Sequence, residues 1–313
     1  MRSMNSSFQL AALQISFLCQ MPTENDIKQN LTALPDTLKD AYDEIYKGIL
    51  AQKGSAPDIA RNAFRWIQCS KEPLSSQTLL DAVTVKVDSS GGFSQNGLAQ
   101  VKQLLTVCQN LVILDEQLNT FRFAHLSVDE YLEIKLPKHD SHLELSKVCF
   151  SLLCTHSAWA AYDQDITVKE GVYEGRHLLL YSVVFWPWHF AHCGEFDRCP
   201  TLTSLWDKLI SESTYERWRH YHCKCVTKFP HSESREDFWC RQETIQEMHY
   251  GRLSWVCVFG LYRVFSSVFE FGADVSIREI GDLLGHASRF GELEIVELLI
   301  DKGASVSAPG DNV

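Results

Sequence analysis

The sequence predicts a mainly α-helical protein with a small β-hairpin and repeated helical segments at its C-terminal end. Apolar residues recur at helical spacing over most of the 313 positions. One pair of β-rich runs, within residues 111–125, is joined by a polar turn. A pattern in residues 253–277 returns in residues 284–308. The predicted domains are a helical linker (1–55), a helical domain with the hairpin (56–136), a helical spacer (137–249) and the repeats (250–313).

Composition narrows the class of protein before any motif is considered. A hydrophobic content of 45% predicts folded domains, and the net charge of −11 disfavours unaided binding to nucleic acid or anionic membranes. Eleven cysteines lie mostly in apolar helical stretches, which is typical of reduced thiols in a cytoplasmic, intracellular protein. No apolar run approaches the length of a membrane span, so we expect no membrane partner.

Helix starts and stops are readable in the linker. An amphipathic helix is predicted almost from the first residue, and Thr23 with Asp26 gives an N-cap signal for the next. Pro35 interrupts the helical pattern, and a further helix is predicted from Leu38.

The second domain reads as three helices followed by a β-hairpin, the element order of a winged helix. Ser75 or Ser76 caps the second helix, and Ser127 is predicted to cap a helix after the hairpin. The predicted helices are 58–69, 76–83 and 98–108, and the predicted strands are 111–114 and 120–125.

The spacer is rich in aromatic residues and carries little other signal. Helical patterns run over residues 143–153, 177–190 and 202–218. Its tryptophans are Trp159, Trp186, Trp188, Trp206, Trp218 and Trp239.

The C-terminal pattern keeps one register throughout. Gly291 and Gly303 each lie 31 positions after their counterparts, Gly260 and Gly272. Each unit reads as a helix ended by glycine in a left-handed conformation, followed by a second helix. The expected apolar positions of the second helices are Leu261, Val264 and Val268 in one copy and Leu293, Val296, Leu299 and Ile300 in the other.

The segment GELEIVELLIDKGASVSA closely resembles the ankyrin repeat, and the first copy is a degenerate version of it. Ankyrin surfaces bind proteins, so the resemblance implies an unidentified protein partner. The residues implied at that surface are Tyr250, Arg252, Phe259, Asp282, Arg289 and Phe290. Because about three units are normally needed for stability, either the upstream domain caps the pair or the array is shortened.

Four stretches also resemble the region that follows the nucleotide-binding domain of fungal NACHT-type signal-transduction ATPases. They are LTALPDTLKDAYDEIYKGIL, RNAFRWIQCSKEPLSSQTLLDAVTV, LLTVCQNLVIL and FRFAHLSVDEYL. In that family a helical linker, a winged helix, a spacer and ankyrin repeats follow the ATPase core. The resemblance covers residues 8–140 and resumes near residue 250. It implies that the winged helix serves as a packing and regulatory element.

The phosphate loop GxxxxGK[ST] of that family occurs nowhere in the sequence, so ATP hydrolysis is assigned to no residue. We therefore predict a non-enzymatic, cofactor-free interaction or regulatory segment. Two alternatives stay open. The chain could act with a separately encoded nucleotide-binding domain, or it could be a truncated product without independent function.

Zinc binding, serine catalysis and DNA binding are three further hypotheses, and for each a structural role explains the residues better. Zinc would need four ligands at regular spacing, and the spacer's histidines and cysteines lack that spacing. These candidates are His189, His192, Cys193, Cys199, His220, His222, Cys223, Cys225 and Cys240. His125, Ser127 and Asp129 contain the residue types of a hydrolytic triad, but Ser127 is better explained as a cap. DNA reading needs basic residues, and Lys102 is the only one between residues 94 and 110.

Overall fold

A computed structural model describes most of the chain as two compact units. Unit 1 comprises Met1–Lys86, Phe93–Leu145 and Tyr173–Leu178, and unit 2 comprises Val87–Gly92, Ser146–Val172 and Leu179–Val313. The described residues are 2–19, 21–30, 34–95, 100–155, 159, 177–194, 198–225, 253–270 and 277–305. Among them, no helix has both the length and the apolar character needed to cross a membrane.

Unit 1 is mainly helical, as predicted. Its helices are α1 (Arg2–Cys19), α2 (Glu24–Asn30), α3 (Leu38–Leu50), α4 (Ala56–Cys69), α5 (Ser76–Ala82), α6 (Val101–Val107) and α7 (Leu126–Lys135). Helix α8 (Lys138–Cys154) contains the boundary between the units. The core of unit 1 is apolar and includes the fully buried Phe64, Trp66, Leu79 and Leu104.

Side-chain N-caps, including those predicted at Thr23 and Ser75, explain where several helices begin. The hydroxyl of Thr23 accepts from the Asp26 amide at 3.2 Å, and that of Thr37 accepts from the Asp40 amide at 3.1 Å. Ser75 caps α5 by accepting from the Thr78 amide at 3.2 Å. Each bond satisfies a backbone N–H that has no partner within its own helix.

Two antiparallel β-hairpins accompany these helices. Strands β3 (Val112–Asp115) and β4 (Thr120–Phe123) pair with Val112 opposite Phe123, which confirms the predicted hairpin. Strands β1 (Val85–Val87) and β2 (Phe93–Gln95) form a second hairpin that was not predicted, because each has only three residues. Helices α4 to α6 followed by β3 and β4 give the helix-and-hairpin order of a winged helix.

Unit 2 is helical in its described part. Its helices are α9 (His177–His192), α10 (Pro200–Leu209), α11 (Glu212–Cys225), α12 (Ser254–Val258), α13 (Tyr262–Glu270), α14 (Ile277–Arg289) and α15 (Leu293–Asp301). The helix predicted over 202–218 is two helices. The second one begins after Ser211, whose backbone carbonyl accepts a hydrogen bond from the Tyr215 amide at 2.9 Å.

Aromatic rings fill the interior of unit 2. Trp186 lies 4.8 Å from Trp255 and 5.8 Å from Trp218, measured between ring centroids. Phe190 stacks on Trp206 at 5.1 Å. The Trp218 indole N–H donates to the Val183 carbonyl at 2.9 Å, which satisfies a polar atom that burial would otherwise leave without water. The aromatic-rich spacer therefore serves as a hydrophobic core.

Candidate functional site

The C-terminal helices form two hairpins with the same backbone design. We call α12 with α13 the first hairpin and α14 with α15 the second hairpin. Gly260 and Gly291 follow the first helix of each, with φ of 65° and 70°. The residue after each glycine donates to the carbonyl five positions back, Leu261 to Val256 at 3.0 Å and Glu292 to Ala287 at 2.9 Å. These bonds form Schellman motifs, so the repeat of 31 residues in the sequence is also a repeat in the structure.

The hairpins stack helix on helix. Helix α12 packs against α14, and α13 packs against α15. Gly260 faces the neighbouring hairpin, because a Cβ there would collide with the carboxylate of Glu292. Gly291 has no atom within 4 Å of such a Cβ. The two glycines therefore share a conformation while only the first lies against a described neighbour.

Helix α15 presents an apolar row to solvent. Leu293 is 66% exposed, Ile300 is 42% exposed, and Val296 is half-buried. Their spacing of three and four residues places all three on one side of the helix. The opposite side carries Ile295 and Leu299, which are buried. This exposed group, Leu293, Val296 and Ile300, is called the apolar row below.

Carboxylates lie beside the apolar row. Glu294, Glu297 and Asp301 are exposed on the adjoining strip of α15. In the part of the chain that the structure describes, none of these three forms an ion pair or hydrogen bond through its side chain. The strip is therefore an acidic edge that is open to a positively charged partner.

The residues predicted for protein binding have different positions. Phe259 is buried at 7% exposure and packs inside unit 2, so its ring is not at a surface. Arg289 is exposed, and its guanidinium carbon lies 5.7 Å from the centroid of the half-buried Phe290 ring. Asp282 is half-buried on α14. Tyr250 and Arg252 lie outside the described residues.

Leu293 and Ile300 were not predicted as surface residues. Their spacing marked them as apolar positions of an amphipathic helix, and apolar periodicity alone cannot show whether another element covers a helix face. No described element covers this face of α15. The available signal was the acidic strip beside the apolar positions.

The histidine and serine that suggested a hydrolytic triad form a helix cap. His125, not Ser127, is the N-cap of α7, and its Nδ1 accepts from the Ser127 amide at 3.1 Å. The Ser127 hydroxyl lies 2.8 Å from the Tyr42 hydroxyl. Asp129 accepts from the Gln68 amide at 2.9 Å, so its carboxylate does not orient the imidazole. His125 Nδ1 also lies 2.7 Å from the Ser127 hydroxyl, but the carboxylate of Asp129 does not hold the imidazole as the acid of a catalytic triad would.

The candidate zinc ligands that are described contact other groups. His189 Nε2 lies 2.9 Å from the Tyr181 hydroxyl, and the exposed His192 Nδ1 lies 2.7 Å from the Trp188 carbonyl. Cys193 donates to the Phe190 carbonyl at 3.0 Å. Within the described ranges, no three His, Cys, Asp or Glu side chains lie close enough to hold a metal ion. The side chains of Cys223 and Cys225, and all of Cys240, lie outside those ranges.

The cysteines whose side chains are described are free thiols, and several are buried. Burial raises the pKa of Cys69, Cys108 and Cys149 to about 12. A thiol with such a pKa is a weak nucleophile at neutral pH.

One charged network in unit 1 joins α3 to α7. The Asp43 carboxylate contacts Lys39 at 2.8 Å, Lys135 at 2.7 Å and the Tyr131 hydroxyl at 2.8 Å. Hydrogen bonds from Lys135, Lys39 and Tyr131 lower the pKa of Asp43 well below its usual range. Burial, together with the Asp43 carboxylate, raises the pKa of Tyr131. The network fixes two helices, and its tyrosine is too weak an acid to serve in proton transfer near pH 7.

Comparison with known proteins identifies the class of the second predicted domain, residues 56–136. Residues 48–144 match the family of the winged helix domain of GPI inositol-deacylase. This match includes the whole predicted domain and extends beyond both of its ends. The chain therefore contains a winged helix domain of that type. Its helix α6 carries a single basic residue, the exposed Lys102.

A curated relative extends the similarity across most of the chain. The azaphilone pigments biosynthesis cluster protein L of Monascus ruber is 22% identical over 319 aligned positions. The alignment covers 90% of this chain and 63% of that protein, so the chain spans less than two thirds of its relative's length. No solved structure matches the chain.

Proposed function

We propose that this chain is a non-enzymatic regulatory segment that binds a protein partner through its two C-terminal hairpins, which we interpret as ankyrin-type repeats. The observation that carries the proposal is the apolar row of α15, exposed beside three carboxylates without described partners. Exposed apolar side chains in a contiguous group are typical of interaction surfaces.

The repeat geometry supports the ankyrin interpretation. Both hairpins have a helix, a glycine with positive φ and a second helix, in one register of 31 residues. First helices stack on first helices, and second helices stack on second helices. This arrangement is typical of repeat proteins, in which each unit contacts its neighbours.

The surface favours a partner with defined chemistry. An amphipathic helix could place its own apolar side chains against Leu293, Val296 and Ile300. Lysine or arginine residues along the edge of that helix would then face Glu294, Glu297 and Asp301. We therefore propose a basic amphipathic helix as the bound element.

The winged helix domain supports the regulatory part of the proposal. By resemblance to NACHT-type signalling proteins, this domain would transmit a signal without binding DNA, in the cytoplasm. The same resemblance favours a second candidate function. In that case the chain would be the downstream arm of an ATP-driven switch whose nucleotide-binding domain is encoded separately.

A peptide titration tests the proposed surface. The probe is a fluorescent helical peptide with leucines on one face and lysines on the other, and the readout is anisotropy. We expect binding to the full chain and a loss of affinity of about tenfold or more when Leu293→Glu and Ile300→Glu are combined. The control is Leu118→Glu, which alters a 71% exposed leucine of unit 1 and should leave the affinity unchanged.

A scrambled peptide separates surface recognition from general attraction to an acidic protein. It has the same composition but no apolar face, so we expect it to bind more weakly and to be insensitive to the double substitution. Equal affinity for both peptides, or unchanged binding by the Leu293/Ile300 variant, would contradict the proposed surface.

A further inference from the structure

Unit 1 contains a cleft of about 500 Å³ bounded by α1, the segment before α3, α3 itself, α6 and the turn after α6. Leu13, Ile45 and Leu105 contribute apolar wall, while Glu44, Gln109 and Asn110 contribute polar groups. Small-molecule sites in proteins have volumes of about 300–1,000 Å³ and this same mixture of apolar walls and few polar groups.

The turn after α6 adopts an unfavourable backbone. Gln109 and Asn110 have φ of 46° and 63°, in the left-handed region, which asparagine adopts readily and glutamine adopts at a cost. Strained residues of this kind are often found at ligand sites. Here both residues line the cleft.

A second unfavourable local choice accompanies the first. Gly48 lies inside α3, where glycine weakens a helix. A Cβ at this position would lie 3.1 Å from Oε1 of Gln109 and 3.3 Å from its Nε2. A side chain at position 48 would therefore shift the Gln109 amide by a few tenths of an ångström, so Gly48 leaves that amide undisturbed beside the cleft.

The polar groups of the cleft fall into two sets. The Gln14 amide donates to the Pro35 carbonyl at 2.9 Å, and the Thr106 hydroxyl donates to the Lys102 carbonyl at 2.7 Å. These groups have structural partners. The side chains of Glu44, Gln109 and Asn110, by contrast, form no hydrogen bond to any described residue. They are available to a ligand.

Charge decides the class of ligand. Glu44 is the sole charged residue among those that line the described cleft. An anionic ligand would meet that carboxylate without a compensating cation, whereas a protonated amine would pair with it. We propose that the cleft binds a small amphiphilic amine. Its apolar body would contact Leu13, Ile45 and Leu105, its ammonium would face Glu44, and its hydrogen-bonding group would meet the Gln109 amide.

A matched series of probes tests this ligand class on the full chain. Phenethylamine, phenethyl alcohol and phenylacetate have nearly the same body and differ in charge. Titration followed by protein-observed NMR should rank their affinities in that order. Glu44→Gln should weaken phenethylamine binding about threefold and abolish its advantage over the alcohol, as expected for an ion pair with an exposed carboxylate. Glu116→Gln, the same change at an exposed turn, should have no effect.

A second variant separates binding from folding. Gln109→Gly removes the amide and also relieves the left-handed strain, so the unfolding midpoint should be held or raised while affinity falls. Three results would overturn the proposal: no binding of phenethylamine at its solubility limit, equal affinity for all three probes, or unchanged affinity in the Gln109→Gly chain. Much tighter binding of an acetylated Leu-Lys amide would also overturn it, because the natural occupant would then be a peptide.

Discussion

The two C-terminal hairpins share the same glycine turn and second helices of the same length, but these second helices have different surroundings. On α13, Phe265 is fully buried, and α15 packs against this helix. On α15, the equivalent position is the half-buried Val296, and Leu293 beside it is 66% exposed. Equivalent helices can therefore supply a core in one copy and an open surface in the next. The difference depends on what covers the helix.

Truncation of the buried face should have the largest effect. Phe265→Ala removes a fully buried ring and leaves a cavity, so we expect a loss of about 3–5 kcal/mol in the free energy of unfolding. Leu293→Ala, on the exposed face, should change it by less than about 0.5 kcal/mol. Denaturant unfolding of both variants measures the contrast. A similar loss at the two positions would mean that α15 is covered in solution.

The paired glycines test the shared backbone. Alanine in the left-handed region costs about 1–2 kcal/mol, so Gly260→Ala and Gly291→Ala should both destabilise the chain. The loss should be larger at Gly260, where the new Cβ meets the Glu292 carboxylate. Adding Glu292→Ala should bring the Gly260→Ala loss down to that of Gly291→Ala. Equal losses in the single variants would show that Glu292 moves aside freely.

Thiol labelling can compare equivalent positions on α12 and α14, the first helices of the two hairpins. Cys257 is fully buried, and burial, with a smaller contribution from Glu292, raises its pKa. Its counterpart 31 residues later, Ser288, is exposed. Iodoacetamide at pH 8 should modify a Ser288→Cys chain rapidly at the new site, while Cys257 reacts only on unfolding. Peptide mass spectrometry gives both rates, and rapid labelling of Cys257 would contradict its burial.

The smallest expected effect concerns the charged network of unit 1, which, unlike the apolar hairpins, is held by ion pairs and hydrogen bonds. The folded pKa of Asp43 is lowered, so the network stabilises the fold at pH values above about 4, where an unfolded aspartate is ionised. That contribution is lost as the pH falls through the lowered folded pKa. The stability difference between the wild type and Asp43→Asn should therefore shrink on acidification. Urea unfolding across pH measures this difference, with the exposed Asp36→Asn variant as the matched comparison.

Local signals predicted much of the fold. Thr23, Thr37 and Ser75 each cap a helix by accepting a hydrogen bond from the backbone amide three residues later. Such a contact depends only on neighbouring residues, so the sequence can show it. The repeat register could be predicted because Gly260 and Gly291 both adopt a positive φ, which glycine allows at little cost. The cap of α7 was misplaced by two residues, since His125 accepts the bond expected of Ser127.

What the sequence could not predict depends on contacts between distant residues. The cleft combines α1, α3 and α6, and no local pattern marks Gly48 as the space for Gln109. The exposure of Leu293 could not be inferred either, because its spacing matches that of a buried position. Burial of Phe259 has the same origin, since the packing of unit 2 determines it.

Thermal unfolding of the full chain with two additives tests the central claim most directly. A ligand that binds the native state raises the free energy of unfolding by about 2.7 kcal/mol at one hundred times its Kd. We predict that the basic amphipathic peptide raises the midpoint, that the Leu293/Ile300 double variant loses this shift, and that Mg-ATP has no effect. A shift with Mg-ATP and none with the peptide would contradict a nucleotide-independent interaction segment.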